Sequence, residues 1–164
     1  MAISNERNMD MYKILMVCHG NICRSPMAEF ILRDMLKKRG IQGVEVASAA
    51  TSTEELGNGV HRGTVRVLHS LGIDCSFKRA RQMTRSDYAE YDLLLGADSR
   101  NIINMKRIAG GDDKSKIQRL LDFTDRPRDI ADPWYTGNFD ETQADVTEGC
   151  EALITWLYEQ GIIT

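Results

Sequence analysis

Short, continuous apolar runs alternate along this chain with longer segments in which apolar residues recur every three or four positions. Runs of the first kind are typical of strands buried in a parallel sheet, and segments of the second kind predict amphipathic helices. The expected strands cover about 12–17, 44–48, 92–96 and part of 117–123. The expected helices cover about 26–39, 61–71, 99–108 and 141–160. A long loop, at about 124–140, is expected before the last helix.

The order of these elements predicts an α/β fold. Strands that alternate with helices form a parallel sheet with helices packed on both of its faces. We therefore expect a three-layer sandwich around a central, four-stranded parallel sheet. Ligands of such sheets bind at the carboxyl ends of the strands, near a change in strand order. The loop after the first strand is such a place, which makes it the first candidate for a phosphate-binding loop.

This loop joins an apolar strand to a helix whose start is marked in the sequence. Ser25 is expected to cap the helix and Pro26 to occupy its first position. The backbone N–H groups of the loop and of the helix N-terminus then form a cradle for an anion. Cys18 lies at the beginning of the loop and Arg24 near its end, so a thiolate and a guanidinium flank the amides. We expect inorganic phosphate or a similar oxyanion to bind there.

The spacing of Cys18 and Arg24 alone is weak evidence, since Cys75 and Arg81 are separated by the same number of residues. The second pair follows no apolar strand, its loop contains no glycine, and no Ser-Pro helix start comes after it. The prediction therefore depends on the strand, the loop and the helix start around Cys18 rather than on the spacing.

Composition limits the classes of binding partner and the cellular compartment that are expected. The 164 residues carry 21 basic and 24 acidic side chains, for a net charge of −3, which argues against nucleic acid or an anionic membrane as the main partner. No apolar run has the length of a transmembrane helix, and residues 1–10 lack the apolar centre of a signal peptide. The four cysteines are too few for a disulfide framework, so a reducing cytoplasm is expected. One domain is expected over 12–164, after an N-terminal extension at 1–11.

Two motifs in the chain resemble those of a known family. The stretch from Val17 to Pro26, together with Asp132-Pro133-Trp134-Tyr135 far downstream, closely resembles the low-molecular-weight protein tyrosine phosphatases. The resemblance extends from about Tyr12 to the end of the chain. It implies that the protein hydrolyses phosphotyrosine in proteins, and small aryl phosphates, through a phosphocysteine intermediate.

Three residues are expected to carry this chemistry. Cys18 must ionise to attack phosphorus, and the helix N-terminus, the loop amides and Arg24 all favour the thiolate. Arg24 can hold two phosphoryl oxygens through parallel N–H bonds and can offset their charge during transfer. The resemblance implies that Asp132 protonates the departing phenolate and then takes a proton from the water that hydrolyses the phosphocysteine.

Other residues are expected to bind phosphate or to support the loop. Gly20 permits close backbone approach, and Asn21 tolerates the left-handed geometry that a tightly curled loop requires. Ser25 can donate its hydroxyl to the sulfur of Cys18 and help it to leave. The resemblance implies that Asn21 braces the loop together with Ser48. The predicted phosphate-binding and supporting residues are His19, Gly20, Asn21, Ile22, Cys23, Ser25 and Ser48.

A substrate slot is expected between the loop at about 49–59 and the downstream aromatic pair. Trp134 and Tyr135 would contact the phenyl ring, and Ile22 adds an apolar wall. In related arginine phosphatases the position of Ile22 is Thr, so Ile22 favours a tyrosine substrate. Many family members have an aromatic residue where this chain has Glu54. A carboxylate there would disfavour acidic residues next to the phosphotyrosine.

Three further positions take their meaning from the resemblance. Asp98 matches a family aspartate thought to support the site. Lys78 stands where the family has a histidine, so the bracing of the loop is expected to differ there. Cys23 matches a family cysteine that can form a reversible disulfide with Cys18, which would protect Cys18 from over-oxidation.

Two other functions stay open on the sequence. An arsenate reductase on the same scaffold would need further redox cysteines near the site, and Cys75 and Cys150 are far apart in sequence. A non-catalytic anion-binding module would keep the cradle and lose the nucleophile or the acid, whereas both are present. No cofactor and no metal ion is expected, since His19, His61 and His69 fit no common zinc spacing.

Overall fold

A computed structural model describes residues 11–164. Its strands are β1 (Tyr12–Cys18), β2 (Val44–Ala50), β3 (Leu93–Gly96) and β4 (Ile117–Arg119). Its helices are α1 (Arg24–Lys38), α2 (Arg62–Ser70), α3 (Arg85–Glu90), α4 (Ser99–Ala109), α5 (Pro133–Thr136) and α6 (Phe139–Glu159), with a 3₁₀ helix at Leu120–Phe123. The extension expected at 1–11 lies, apart from residue 11, outside the described residues. Within 11–164, every helix is too short or too polar to span a lipid bilayer.

The four strands form one parallel sheet in the order β2-β1-β3-β4. β1 pairs with β2 along its whole length, from Tyr12 beside Val44 to Cys18 beside Ala50, and pairs with β3 on its other edge. The prediction of a central, four-stranded parallel sheet is therefore confirmed. Because the chain leaves β1 toward β2 and later returns to its other side, the loop after β1 stands at the change in strand order.

Alternate residues of β1 enter two different hydrophobic cores. Ile14 and Met16 are buried among residues of α1, α2 and α6 on one face of the sheet. Leu15 and Val17 are buried on the other face, where α4 packs. The prediction that helices cover both faces is confirmed by these two cores. Since β1 is hydrogen-bonded on both edges and packed on both faces, the start of the following loop has a fixed place in the sheet.

The start of α1 differs from the sequence prediction. The helix begins at Arg24 with Cys23 in the capping position, so Ser25 is not the cap and Pro26 is the third helical residue rather than the first. Proline fits there because the first four N–H groups of a helix have no intrahelical acceptor. The hydroxyl of Ser25 does not cap the helix. It contacts the sulfur of Cys18 and accepts a hydrogen bond from the side-chain amide of Asn21.

Two short helices, α3 and α5, fall outside the predicted elements. A carboxylate of Asp87 accepts a hydrogen bond of 2.7 Å from the N–H of Thr84 at the start of α3, but this helix has only six residues, too few for a clear hydrophobic period. α5 begins inside the predicted long loop, with Pro133 at its first position. Asp132 caps α5 by accepting a hydrogen bond of 3.0 Å from the N–H of Trp134. The predicted general acid is therefore held at the start of a helical turn.

Candidate active site

The loop between β1 and α1 curls around a pocket. Asn21 is 1% exposed and has a φ of 59°, the left-handed geometry predicted for it. The carbonyl oxygens of Cys18, His19 and Ile22 accept backbone hydrogen bonds of 2.9, 3.0 and 2.9 Å from segments outside the loop. The carbonyl and the N–H of one trans peptide group point in opposite directions, so the N–H groups of these peptides face away from those segments.

The sulfur of Cys18 lies at the base of this pocket, against the start of α1. Its Sγ atom is 3.0 Å from the Oγ of Ser25 and accepts a longer contact of 3.4 Å from the Ser25 backbone N–H. The amide of Asn21 donates to the same Oγ at 2.8 Å. Because Asn21 occupies an acceptor site on this hydroxyl, the hydroxyl proton can point at the sulfur or at the carbonyl of Ala49, which is farther away at 3.5 Å. The Oγ and the backbone N–H of Ser25 therefore both lie within hydrogen-bonding reach of the Cys18 sulfur.

Arg24 is 3% exposed and is fixed by two elements far away in sequence. Its Nη1 donates to the Oδ2 of Asp98 at 2.7 Å and to the carbonyl of Ile130 at 2.8 Å. Burial by itself lowers the pKa of Arg24, but Cys18, Asp98 and Asp132 outweigh it, so the pKa lies above its ordinary value. The guanidinium is thus a permanent positive charge at the pocket.

Asp132 lies across from the loop. One carboxylate oxygen, Oδ1, is used to cap α5. The other, Oδ2, is 3.4 Å from the Nη2 of Arg24. This second contact is long and weak, so Oδ2 can accept a hydrogen bond from a further group in the pocket.

These three side chains border one cavity of about 120 Å³. Seven of the other predicted site residues line the same cavity: His19, Gly20, Ile22, Cys23, Glu54, Trp134 and Tyr135. Three are buried behind the loop instead: Asn21, Ser25 and Ser48. The fold thus brings all the sequence-predicted positions to one edge of the sheet, while the part that each takes in the chemistry stays a prediction.

The mouth of the cavity is acidic. The Oε2 of Glu54 is 2.6 Å from the Nε2 of His19, the residue that follows Cys18. Glu55, which the sequence analysis does not single out, lines the cavity beside Glu54. A run of two glutamates in a loop is usually only a solvated turn, so no local signal distinguishes Glu55 from a surface residue. Its position places a second carboxylate beside Glu54 in the lining of the cavity.

The aromatic side of the mouth is anchored by His61. The imidazole stacks on Phe139 with ring centroids 5.0 Å apart, and meets the indole of Trp134 edge-on at 5.7 Å. Trp134 still exposes 58% of its surface and Tyr135 exposes 84%. Two large aromatic side chains that remain exposed beside a cavity are suited to contact a ligand.

A chain of buried hydrogen bonds braces the loop from behind. Asn21 donates to the Oγ of Ser48 at 2.9 Å, and Ser48 donates to the Oε1 of Glu29 at 2.5 Å. Lys78 donates to the backbone carbonyl of Ser48 at 3.0 Å, and its Nζ lies 3.6 Å from Glu29. Burial lowers the pKa of Lys78, and the charge of Glu29 opposes that shift. Lys78 therefore takes part in the bracing, with Glu29 as its counter-ion.

Glu29 is a supporting residue that the sequence analysis misses. It is 2% exposed and lies on the inner face of α1. The signal was a charged residue between Ala28 and Phe30, both of which are buried. A carboxylate in such a position needs buried partners, and their identity depends on tertiary structure that local sequence does not reveal.

Cys23 is a free thiol in the same cavity as Cys18. Burial, together with the nearby Cys18, raises the pKa of Cys23 to about 12. Cys23 is therefore a neutral thiol at physiological pH. The reversible disulfide between Cys18 and Cys23 stays a prediction.

Comparisons with known proteins agree on one family. The family model described as "Low molecular weight phosphotyrosine protein phosphatase" matches residues 13–161. The low molecular weight protein-tyrosine-phosphatase YfkJ of Bacillus subtilis is 39% identical over 153 residues, which cover 92% of this chain and 98% of YfkJ. The protein-tyrosine-phosphatase PtpA of Staphylococcus aureus is 35% identical over 148 residues, which cover 90% of this chain and 94% of PtpA.

Solved structures give the same result for the fold. The crystal structure of YfkJ superposes with a TM-score of 0.88 at 38% identity and covers 92% of this chain and 96% of its own. Wzb of Vibrio vulnificus, solved in complex with benzylphosphonate, superposes with a TM-score of 0.74 at 26% identity. That alignment covers 91% of this chain and 99% of Wzb.

Proposed function

Because the chain belongs to the low molecular weight phosphotyrosine protein phosphatase family, whose members are hydrolases, we propose that it hydrolyses phosphotyrosine in proteins through a phosphocysteine on Cys18. One observation carries the proposal. A sulfur, a guanidinium and a carboxylate, from Cys18, Arg24 and Asp132, border a single cavity that is also lined by residues of the loop between β1 and α1. These are the groups that a metal-independent transfer of a phosphoryl group to sulfur requires.

In the first step, the Cys18 thiolate attacks phosphorus and forms the S–P bond while the P–O bond to the phenol breaks. Both N–H bonds of Arg24 Nη1 are engaged by Asp98 and Ile130. The edge formed by Nε and Nη2 is therefore the part of the guanidinium that holds two phosphoryl oxygens. The backbone N–H groups of the loop bind the same phosphoryl group. Asp132 gives its proton to the phenolic oxygen as that oxygen leaves.

In the second step, water hydrolyses the phosphocysteine. Asp132, now ionised, takes a proton from the water as the water attacks phosphorus. The S–P bond breaks, and the sulfur of Cys18 recovers its negative charge. Ser25 stabilises that charge by donating its hydroxyl proton across the 3.0 Å contact. Inorganic phosphate is the product, and it leaves through the same mouth.

The walls of the cavity favour a phenyl ring. Ile22, which is 8% exposed, lines the cavity together with the exposed rings of Trp134 and Tyr135. An aromatic ring between them gains offset or edge contacts of about 0.5–1.5 kcal/mol beyond the area it buries. The aryl-like benzylphosphonate bound by Wzb supports the same class of ligand for this chain.

The alternative activity, arsenate reduction, lacks support from the remaining cysteines. Cys150 is fully buried in α6, and burial raises the pKa of its thiol. Cys75 is 4% exposed and does not line the cavity of Cys18. Neither thiol lines the cavity, so neither is positioned to exchange with a disulfide formed there. A module that only binds anions would have no need of Asp132 beside the nucleophile.

One assay separates these functions. With p-nitrophenyl phosphate as substrate, we expect turnover that persists in a chelator and is inhibited by vanadate. With arsenate, thioredoxin and its reductant, we expect no arsenite above background. Turnover that a chelator stops, or arsenate reduction without phosphatase activity, would overturn the proposal.

Glu54 offers a prediction on substrate preference. Its carboxylate repels acidic residues that flank a phosphotyrosine, so Glu54→Gln should raise kcat/KM on acidic phosphopeptides about two- to fivefold, since exposed charge pairs contribute about 1 kcal/mol or less. The measurement compares peptides with acidic and with basic flanks. On p-nitrophenyl phosphate, which has no flanks, the variant should match the parent. Equal changes in kcat/KM on both peptides would show that Glu54 does not interact with the charges that flank the phosphotyrosine.

A further inference from the structure

The segment that carries Asp132 is attached to the sheet three residues earlier, at Asp129. The Oδ1 of Asp129 accepts three hydrogen bonds: 2.9 Å from the backbone N–H of Ser99, 2.9 Å from the Oγ of Ser99 and 3.0 Å from the Nη1 of Arg119. Ser99 is the first residue of α4, and Arg119 is the last residue of β4. One carboxylate oxygen thus joins the acid-bearing segment to the ends of two neighbouring elements.

The next residue extends this attachment to the active site. Ile130 is 2% exposed, and its N–H donates to the carbonyl of Ala97 at 2.9 Å. Its own carbonyl accepts from Arg24 at 2.8 Å, beside the bond from Arg24 to Asp98. The stretches 97–99 and 129–130 therefore lie side by side, with the guanidinium of Arg24 bound to both.

The contacts of Asp132 itself do not fix the height of its carboxylate above the pocket. Its link to Arg24 is 3.4 Å long, and its cap on α5 only ties it to the turn that follows. Asp129 and Ile130 are the nearest points before Asp132 at which the segment is bound to the sheet. A displacement of about 1 Å in a catalytic group can cost on the order of 10²-fold in rate.

We propose that Asp129 is a positioning residue for the reaction, which holds the general acid Asp132 at the right distance from the leaving oxygen. The proposal rests on the proposed function, because it assigns to Asp132 the role of acid. The hydrogen bonds matter more than the charge. The side chain of Asp129 is half exposed, so solvent screens its ion pair with Arg119, whereas the bonds from Ser99 fix a geometry.

The test is the dependence of kcat/KM on the leaving group, because a displaced acid lowers the rate only for esters whose leaving group must be protonated. Phenyl phosphate releases a basic phenolate and p-nitrophenyl phosphate a weakly basic one. Asp129→Ala should lower kcat/KM about tenfold on phenyl phosphate and less than about twofold on p-nitrophenyl phosphate. Asp129→Asn keeps an oxygen that accepts from Ser99, so it should restore most of the loss.

A double mutant separates positioning from general damage. In an Asp132→Asn background no acid remains to be placed, so Asp129→Ala should add nothing on phenyl phosphate. Ser99→Ala, which removes one of the bonds from the opposite side, should give a smaller loss of the same selective kind and serves if Asp129→Ala fails to fold. Arg128→Ala is the matched control: Arg128 precedes Asp129 but pairs with Asp145 and Glu148 on α6, so its leaving-group dependence should match the parent.

The outcomes distinguish this inference from the proposed function. If the parent enzyme hydrolyses both esters and Asp129→Ala shows the selective loss on phenyl phosphate, the result supports the proposed function and the positioning role of Asp129. An active parent whose Asp129→Ala variant loses the same factor on both esters, or loses activity further in the Asp132→Asn background, overturns the positioning role alone. A parent that hydrolyses neither ester overturns the proposed function and the inference with it.

Discussion

Cys18→Ser is expected to lose at least about 10⁴-fold in kcat on p-nitrophenyl phosphate, because a serine hydroxyl does not ionise near neutral pH and cannot replace the thiolate as nucleophile. The loop amides and Arg24 remain, so inorganic phosphate should bind with an affinity within about tenfold of the parent, as measured by isothermal titration calorimetry. Turnover and binding should therefore separate in this variant.

The control for this result is another buried cysteine. Cys75→Ala changes a thiol that is 4% exposed and lies outside the cavity. It should lower the unfolding temperature while leaving kcat close to that of the parent. A Cys18→Ser protein that retained the parental rate would exclude Cys18 as nucleophile. One that lost both turnover and phosphate binding would indicate that the loop had collapsed.

Asp132→Asn is expected to lower kcat/KM on phenyl phosphate by about 10²- to 10³-fold, the usual contribution of a placed general acid. The loss on p-nitrophenyl phosphate should be much smaller, since that leaving group departs without a proton. Asparagine is the informative substitution because its Oδ1 can still accept the capping bond from the N–H of Trp134. Stopped-flow or steady-state rates over a series of aryl phosphates give the measurement.

Asp132→Ala serves as the comparison for the same site. It removes both the proton donor and the cap of α5, so any additional loss over Asp132→Asn measures the capping role. Equal losses of Asp132→Asn on all esters would mean that the carboxylate contributes to folding or binding and not to protonation of the leaving group.

The fold could be predicted because its signals are local and regular. The alternation of apolar runs and helical periods predicted the parallel sheet, and with it the edge at which Cys18 and Ser48 lie. No local sequence signal indicates that Cys18 and Asp132 lie close together, since more than a hundred residues separate them. That expectation came from the resemblance of the two motifs to those of one family. The structure brings both to one cavity because the loops after parallel strands meet at the same edge.

The details that the sequence did not reveal depend on side chains from distant elements. The sequence around Ser25 predicts a helix cap, but its hydroxyl contacts the side-chain amide of Asn21 and the sulfur of Cys18 instead. Asp129 looks like an ordinary loop aspartate until the start of α4 and the end of β4 are placed beside it. Local propensity describes what a residue can do near its own backbone, whereas these partners are set by tertiary packing.

The identity of the residue that carries the phosphoryl group during turnover is the most direct test. Asp132→Asn enzyme should accumulate the intermediate from p-nitrophenyl phosphate, because the second step still needs a base after the phenolate has left. Rapid denaturation, proteolysis and mass spectrometry then locate the phosphate. We expect it on the sulfur of Cys18, with no labelled peptide when Cys18→Ser is combined with Asp132→Asn. A phosphate found on another residue, or turnover of the parent with no phosphorylated Cys18 at any time, would contradict the phosphocysteine mechanism.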